Sequence, residues 1–379
     1  MPRIPVLLVL LICNAAPVFA APPSPIDSGL FGFPGLTRAP GSAPSAALAG
    51  ADRWLGDEAF DNPAAAPPKG LLLTPVMQRV SRQDLRADNR NYDETSVYLD
   101  VLGGWLAQPL GGTMVTLYAH QPLVRHESVA FTRGINAIQP AAVRGSAGMR
   151  EYRAGLAVSQ AFGALRLGVA AEYTGRDDTY EYEEVSGDPG SGLRVAEFSG
   201  GAVGAQAGLR WTTAAPWGGP LVVGAAARWV PEIEVDGSVQ YTLLTGDSSG
   251  TFSATRESAF EGGVSVEVPA GPSFRAFASA GGRTAAAWEG FGLTEGDQFE
   301  WRIGGAFHAE GDPWTVRFGI GQEQQTDVPE SRAGVLGLGI GWELEGFSIA
   351  FGVIRRTLER AEQPTSYEDR LVGSVHVPF

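Results

Sequence analysis

The chain has 379 residues, of which 51 are glycine, close to twice the usual share, and 44% are apolar. Its formal charge of −14 at pH 7 argues against nucleic acid as a partner, because phosphate binding requires a basic footprint. The single cysteine, Cys13, excludes a disulfide scaffold, a zinc-ribbon site and a redox pair.

The first twenty residues have the features of a secretory signal peptide. Arg3 supplies a positive charge, residues 4–16 are mostly Leu, Val and Ile, and Val18-Phe19-Ala20 resembles the end of a cleavage site. This apolar run is too short for a stable membrane span. Residues 1–20 are therefore predicted to be a signal peptide, and an N-terminal membrane anchor is the alternative.

Residues 21–94 are predicted to form an irregular N-terminal region that leads into the next region. Residues 21–70 are rich in Ala, Pro, Gly and Ser, a composition typical of irregular chain. A short helix within residues 45–55 is the exception to this irregular character.

From about residue 95 to residue 379, apolar and polar residues alternate with a period of two, which indicates β-strands. In one segment, the apolar residues Leu165, Leu167, Val169 and Tyr173 alternate with polar residues such as Arg166 and Glu172. The same alternation occurs in two other segments, whose apolar faces are Val97, Leu99, Val101 and Trp105, and Phe299, Trp301, Ile303 and Phe307. No segment of this region has a convincing helical stripe. The region 95–379 is therefore predicted to be all β.

The length of the alternating segments distinguishes between the classes of all-β protein. Strands of a soluble sandwich are usually five or six residues long, whereas the alternation here holds for about ten residues, enough for a tilted strand to cross a bilayer. The apolar faces also carry aromatic residues near their ends. We therefore predict an outer-membrane antiparallel β-barrel of about fourteen strands, located in the cell outer membrane with lipid as its surroundings.

Connections of two lengths separate the predicted strands. Gly111-Gly112, Phe162-Gly163 and Glu345-Gly346 are read as tight turns, whereas longer polar connections are predicted at 121–148, 176–192 and 322–331. Short turns at one rim and long loops at the other are typical of outer-membrane barrels.

The last predicted strand has Leu371, Gly373, Val375, Val377 and Phe379 on one face. It resembles the C-terminal strand by which outer-membrane barrels are recognised during assembly. The barrel assembly machinery is therefore an expected partner through Phe379.

Several short motifs together resemble one transporter family. Residues 56–64 contain Asn62-Pro63-Ala64, which looks like the hatch of the FadL/TodX family of outer-membrane transporters for long-chain fatty acids and other hydrophobic compounds. Segments 220–237 and 313–339 resemble its mid-barrel hairpin and its last strands. The resemblance implies passive uptake of a hydrophobic small molecule and sideways release through a kinked strand. It also implies that residues 21–94 form an N-terminal hatch, or plug, with a lead-in segment, and that this hatch holds Asn62, Pro63 and Ala64 inside the barrel. Gly103-Gly104 and Gly200-Gly201 are the candidates for such a kink, and the alternative is that these glycines only relieve crowding or twist.

Inward-facing arginines are the candidates for ligand binding. Arg153, Arg228, Arg302 and Arg317 lie on the polar faces of the cleanest strands, where a guanidinium group can receive a substrate carboxylate. The alternative is a network in which such arginines pair with glutamates of the lumen; the glutamates on the matching faces are Glu151, Glu172, Glu261, Glu267 and Glu300.

The remaining motifs give little support for catalysis or metal binding. The chain has four histidines and no HExxH spacing, so no metal site or cofactor is predicted and the protein is not expected to be an enzyme. The acidic residues within 177–188 are read as a solvated loop, with a calcium site as the alternative. Two other functions stay open: a barrel enzyme, and a non-transporting relative that acts in protein secretion or as a structural barrel.

Overall fold

The structure is a computed structural model that describes residues 41–55, 58–83, 94–136, 139–185, 192–216, 218–243, 246–291, 293–326, 331–360 and 365–379. The predicted signal peptide, residues 1–20, lies outside these described residues. No helix within the described ranges is long and apolar enough to cross a bilayer.

One helical turn and eighteen strand segments make up the fold. Their bounds, in chain order, are α1 Ala43–Ala47, β1 Gly70–Gln83, β2 Glu94–Leu110, β3 Thr113–Asn136, β4 Gln139–Phe162, β5 Leu165–Val185, β6 Gly192–Ala214, β7 Pro220–Val230, β8 Ile233–Leu243, β9 Gly246–Arg256, β10 Ala259–Pro269, β11 Phe274–Arg283, β12 Ala286–Glu289, β13 Leu293–Glu295, β14 Gln298–His308, β15 Trp314–Gln325, β16 Ser331–Leu344, β17 Phe347–Arg360 and β18 Thr365–Val377.

The eighteen segments form fourteen strands of one closed antiparallel barrel. Four strands are each interrupted by a short break, so that β7 continues into β8, β9 into β10, β11 into β12 and β13 into β14. β1 pairs with β18 and closes the barrel, which leaves no free sheet edge at that point. The prediction of an antiparallel barrel of about fourteen strands is confirmed.

The barrel begins at Gly70, whereas the sequence pattern assigns residues up to 94 to the hatch and lead-in segment. β1 pairs with β2 on one side and with β18 on the other, so it is a full strand of the wall. Its alternation is obscured by the consecutive apolar residues Leu71-Leu72-Leu73 and by Pro75, which lies at a β-bulge. The boundary near residue 95 is therefore wrong.

The two faces of the wall have the polarity that the period-two pattern predicts. Large apolar side chains such as Leu99, Phe318 and Leu338 are exposed on the outside, and Leu99 has an exposed fraction of 83%. Charged side chains such as Glu172 and Arg228 are buried inside, at 2% and 1%. This inside-out distribution suits a barrel surrounded by lipid.

Trp105 departs from this pattern. The sequence pattern predicts it on the same face as Leu99 and Val101, but it is buried inside the barrel. The cause is a β-bulge at Leu102 in the pairing of β2 with β1, which shifts the alternation of β2 by one residue. Gly103 adopts a φ of +153° at this bulge, a conformation that L side chains rarely adopt.

The tight turns form one rim, called here the turn rim, at Gly111-Gly112, Gly163 and Gly346. The opposite rim is called the loop rim. Two of the predicted long connections are instead mostly strand, because β3, β4, β5 and β6 continue for 24, 24, 21 and 23 residues. Backbone pairing does not require an apolar face, so polar chain beyond the lipid-facing zone can extend the same ladders.

Candidate functional site: the barrel lumen

Residues 41–55 and 58–65, called here the inner segment, are buried inside the barrel. α1 begins after Ser42, whose Oγ accepts a hydrogen bond from the Ser45 backbone N–H at 3.3 Å, and it contacts β15 to β18. The Ala43 backbone N–H donates to Ser374 Oγ at 2.8 Å, and the Trp54 backbone N–H donates to Ser265 Oγ at 3.0 Å. The inner segment is thus bonded to opposite parts of the wall.

The Asn-Pro-Ala motif lies inside the barrel and contacts the wall directly. Asn62 is fully buried, and its Nδ2 donates to the carbonyl oxygens of Trp54 at 2.8 Å and Leu209 at 3.0 Å. Its Oδ1 accepts from the Ala64 backbone N–H at 2.9 Å, which fixes the turn around Pro63. A buried amide of this kind, with both donor and acceptor used, holds irregular chain in one shape.

Inward-facing glycines make room for the inner segment. A Cβ at Gly168 would lie 2.2 Å from the Pro63 carbonyl oxygen, and one at Gly208 would lie 2.0 Å from Asn62 Oδ1. Gly168 and Gly208 are register partners in the pairing of β5 with β6, so the wall has no side chains where it contacts the motif. The same close approach occurs at Gly224, Gly319, Gly337 and Gly352. At these six positions, packing against the inner segment requires glycine.

A belt of ion pairs, called here the charged layer, crosses the lumen at mid-height. Glu261 is shared by three arginines, with Arg53 Nη2 at 2.6 Å and with Arg153 Nη2 and Arg228 Nη1 at 3.3 Å each. The layer continues around the wall through these residues: Glu151, Glu172, Glu300, Arg302, Glu323, Arg356, Glu368 and Arg370. Positive and negative groups alternate, so each buried charge has a partner.

Arg53 ties the inner segment into the charged layer. Besides Glu261, it contacts Glu300 at 2.9 Å and Asp61 at 3.2 Å. Burial by itself would lower the pKa of the Arg53 guanidinium, but the surrounding carboxylates, led by Glu300, raise it well above its ordinary value. Arg53 therefore stays charged. The sequence pattern did not single it out, although it is an isolated arginine in an Ala-rich segment just before the Asn-Pro-Ala motif.

The four predicted ligand-binding arginines lie in two different surroundings. Arg153, Arg228 and Arg302 are buried in the charged layer, and each contacts at least two glutamates. Arg228 also donates to the Phe60 carbonyl oxygen of the inner segment. Arg317 instead lines a cavity near the turn rim. For the first three, the contacts are those of the ion-pair network that the sequence left as the alternative.

The cavity near the turn rim has a volume of about 860 Å³. Its lining includes Leu48 of the inner segment and, from the wall, Trp105, Phe277, Arg317 and His376. The ring centroids of Trp105 and His376 are 5.4 Å apart. This space lies below the charged layer, between the inner segment and the short turns.

Above the charged layer, towards the loop rim, the lumen contains a large group of apolar side chains. We call this group the outer cluster; its buried members are Leu123, Ala147, Met149, Tyr180, Ala196, Phe198, Ile233, Val235, Ala254, Trp288 and Phe291. The Phe198 ring lies 6.1 Å from Trp288 and 5.2 Å from Phe291, measured between centroids. No local pattern in the sequence indicates this cluster, because its members come from several strands that are far apart along the chain.

The wall is incomplete between β2 and β3, a gap called here the seam. Pairing of these strands ends at Gly103 with His120, although β2 continues back to Glu94 and β3 forward to Asn136. Across the seam, Gln121 Nε2 donates to the Val101 carbonyl oxygen at 2.9 Å. An unpaired strand edge is costly in lipid, so the seam is an unusual feature of the wall.

Polar side chains and the outer cluster adjoin this seam. An Arg150 guanidinium nitrogen lies 3.6 Å from Asp100 Oδ2, and Leu123 of the outer cluster follows the irregular pairing after His120. The predicted kink at Gly103-Gly104 lies at the end of the β2–β3 pairing. Gly200-Gly201 lies where β6 changes partner from β8 to β7.

The acidic stretch 177–188 is described up to residue 185, and this part belongs to β5. Asp178 Oδ1 and Oδ2 each accept from Arg176 at 2.7 Å, and Tyr182 donates to Glu184 at 2.8 Å. No group of three or more potential metal ligands occurs among the residues that the structure describes. The reading of the stretch as a loop is therefore wrong for its described part.

Comparison with known proteins relates this architecture to one set of solved structures. No protein-family model and no curated protein matches the sequence. A FadL homologue from Pseudomonas aeruginosa matches with a TM-score of 0.64 at 12% identity, over 90% of this chain and 98% of that one. The Ralstonia pickettii toluene transporter TbuX matches with a TM-score of 0.60 at 13% identity, over 89% and 98%. The P. putida toluene transporter TodX matches with a TM-score of 0.60 at 14% identity, over 89% and 98%. The chain has the fold of these proteins.

Proposed function

We propose that this protein is an outer-membrane channel for the passive uptake of hydrophobic compounds, as the resemblance to the FadL/TodX family implies. The observation that carries the proposal is the outer cluster, a group of buried aromatic and aliphatic side chains in the lumen beside the seam. An apolar solute gains about 0.8 kcal/mol for each CH₂ removed from water, so such a site can take up solutes that a water-filled pore cannot. The likeness to transporters of toluene supports the same substrate class.

The inner segment is the proposed plug of this channel. Its bonds to β6, β10 and β18, together with the ion pairs of Arg53, leave the lumen occupied at the level of the charged layer. A plug of this kind would prevent ions and water from crossing, and the outer cluster lies on its loop-rim side, where hydrophobic solutes would arrive.

Release through the seam is the route that the geometry favours. A solute in the outer cluster lies next to Leu123, and the missing ladder between β2 and β3 opens towards the lipid. The alternative route, through the charged layer to the cavity at the turn rim, requires the solute to displace buried ion pairs.

Cross-linking the seam is expected to block release into the membrane. Asp100 Oδ1 and Gln121 Nε2 lie 3.4 Å apart across the seam. In a variant that combines Asp100→Cys with Gln121→Cys, a short thiol-reactive linker should therefore join the two strands. We expect uptake of toluene into vesicles to stop, while binding of toluene to the protein persists. The two single-cysteine variants, treated with the same linker, are the controls. Unchanged uptake after complete cross-linking would show that solutes leave elsewhere.

Among the four arginines predicted to bind a carboxylate, Arg317 is the one we propose for a ligand that reaches the turn-rim cavity. Arg153, Arg228 and Arg302 are more suited to the ion-pair network, since protein carboxylates already contact their guanidinium groups.

Transport itself is tested by reconstitution. Vesicles that contain the protein should take up toluene and dodecan-1-ol faster than vesicles that contain an unrelated barrel of similar size. Equal rates would contradict the uptake function and favour the remaining alternative, a barrel that acts in secretion or as a structural component.

We also propose location in the outer membrane and assembly through the C-terminal strand. β18 pairs with both β17 and β1 in the closed barrel, so recognition of Phe379 by the assembly machinery would precede closure. The exposed apolar side chains of the wall would then face lipid.

A further inference from the structure

A row of four inward-facing side chains lines one side of the cavity near the turn rim. The row consists of consecutive register partners on four neighbouring strands: Ser348 on β17, His376 on β18, Leu72 on β1 and Trp105 on β2. It contains a hydroxyl, an imidazole and an indole, but no carboxylate or guanidinium group. Charged residues that also line the cavity, such as Arg317 on β15, lie outside this row. The row is therefore a neutral polar surface.

Two nitrogen atoms of the row have no hydrogen-bond partner among the described residues. They are Trp105 Nε1 and His376 Nε2, and both atoms are shielded from solvent. Trp105 as a whole is only 4% exposed, and its ring centroid lies 5.4 Å from that of His376. A buried indole N–H usually has an acceptor, so two unpaired nitrogens on neighbouring rings call for a partner.

The rest of the cavity suits a small apolar body. Leu48, Leu72 and Phe277 line it together with several prolines, and its volume of about 860 Å³ is in the range of small-molecule sites. The lining also includes Gly218 and Gly219 in the turn between β6 and β7, so the cavity reaches the turn rim. The inner segment and the charged layer separate it from the outer cluster. A molecule bound here therefore enters from the turn rim.

A hydroxyl group is the neutral group that suits both unpaired nitrogens. An indole N–H only donates, whereas an imidazole nitrogen donates or accepts according to its tautomer. A hydroxyl accepts from Trp105 Nε1 and pairs with His376 Nε2 in either tautomer, because it is both donor and acceptor. An ammonium group cannot accept from the indole, a carboxylate cannot donate to the imidazole, and a hydrocarbon leaves both nitrogens unpaired.

We propose that the turn-rim cavity is a second ligand site, in which Trp105 and His376 bind the hydroxyl group of a neutral hydrophobic molecule such as a phenol. The apolar part of the molecule packs on Leu48, Leu72 and Phe277. This inference goes beyond the proposed uptake function, because a molecule in this site passes neither the outer cluster nor the seam. Its ligand class also differs from an unsubstituted hydrocarbon.

Crystallography with a heavy-atom ligand tests the location of the site. Crystals of the protein are soaked with 4-bromophenol, and anomalous scattering locates the bromine atom. We expect bromine in the turn-rim cavity, with the phenol hydroxyl directed at Trp105 and His376. Bromine in the outer cluster alone, or at no position in the lumen, would overturn the proposal.

Calorimetric titration of single variants tests the hydrogen bonds. Trp105→Phe and His376→Phe each keep an aromatic ring but remove one of the unpaired nitrogens. We expect the affinity for 4-bromophenol to fall about threefold to tenfold in each variant, the loss of one neutral hydrogen bond, while the affinity for bromobenzene changes little. Trp229→Phe is the matched control, because Trp229 is 42% exposed on the outside of the barrel.

The outcomes separate this inference from the uptake function. Unchanged affinity for 4-bromophenol in Trp105→Phe would mean that water, and not a ligand, pairs with the indole, and it would overturn the site. Equal losses for 4-bromophenol and bromobenzene, or an equal loss in Trp229→Phe, would assign the substitutions a purely structural effect and would also overturn it. Failure of the unmodified protein to carry toluene into vesicles would contradict the uptake function and leave the turn-rim site standing.

Discussion

Deletion of residues 41–65 should convert the closed barrel into an open pore. The inner segment contributes no strand to the wall, and β1 begins only at Gly70, so the fourteen-strand ladder stays complete. Without the segment, the lumen at the charged layer is lined by polar side chains and fills with water. We expect single-channel conductance in planar bilayers to rise about tenfold or more above the closed level, because polar barrel interiors of this class conduct when they are not obstructed.

Two single substitutions accompany the deletion, one that weakens the attachment of the inner segment and one that serves as a control. Arg53→Ala keeps the segment but removes its ion pairs with Glu261 and Glu300. Brief openings between the closed and the fully open level are expected for this variant. Arg355→Ala removes a pair with Asp369 in which the arginine side chain is 57% exposed, and it should leave conductance unchanged. A deletion variant that folds but remains closed would refute the plug assignment.

Glu261→Gln should cause the largest loss of stability among single substitutions in the lumen. Arg53, Arg153 and Arg228 all share the Glu261 carboxylate, and the neutral amide would leave three buried arginines with a deficit of negative charge. Breaking a buried pair in this way costs about 3–5 kcal/mol in the free energy of unfolding. Urea unfolding of the protein in detergent micelles measures the effect.

A matched substitution on the same strand isolates the cause. Glu267 also lies on β10 and is also buried, but its partner Arg275 is largely exposed to solvent. Glu267→Gln should therefore lower the free energy of unfolding by no more than about 1 kcal/mol, as for surface ion pairs. Equal effects of the two substitutions would mean that the charged layer does not hold the inner segment and the wall together.

The class of fold, the number of strands and the polarity of the two faces could be predicted from the sequence. Each of these properties depends on residues that are close together in the sequence. In a strand such as residues 165–173, alternation of apolar and polar residues distinguishes the lipid-facing side from the lumen-facing side, and turn residues mark where one strand ends and the next begins. The Asn-Pro-Ala motif could also be placed ahead of the barrel. What surrounds it, including Gly168 and Gly208, could not be predicted, because a glycine in a strand has the same local pattern whether it relieves twist or faces a packed segment.

The phase of a strand already depends on the tertiary structure. Trp105 lies inside because one bulge beside Gly103 shifts the alternation of β2, and the bulge is defined by pairing with β1. For the same reason the sequence pattern places β1 in the lead-in segment, because its membership of the wall depends on its pairing with β2 and β18.

Which charges meet was decided only by closure of the barrel. The alternating pattern shows that Arg153, Arg228 and Arg302 point inwards, but not that Arg53 reaches Glu300, 247 residues along the chain, or that Arg256 and Arg283 share Glu295. Inward direction is a property of one strand, whereas the height and the neighbours of a side chain in the lumen depend on the register of all fourteen strands and on the path of the inner segment. Single-strand periodicity contains no information on that register, so the partners of each buried charge follow from the closed barrel alone.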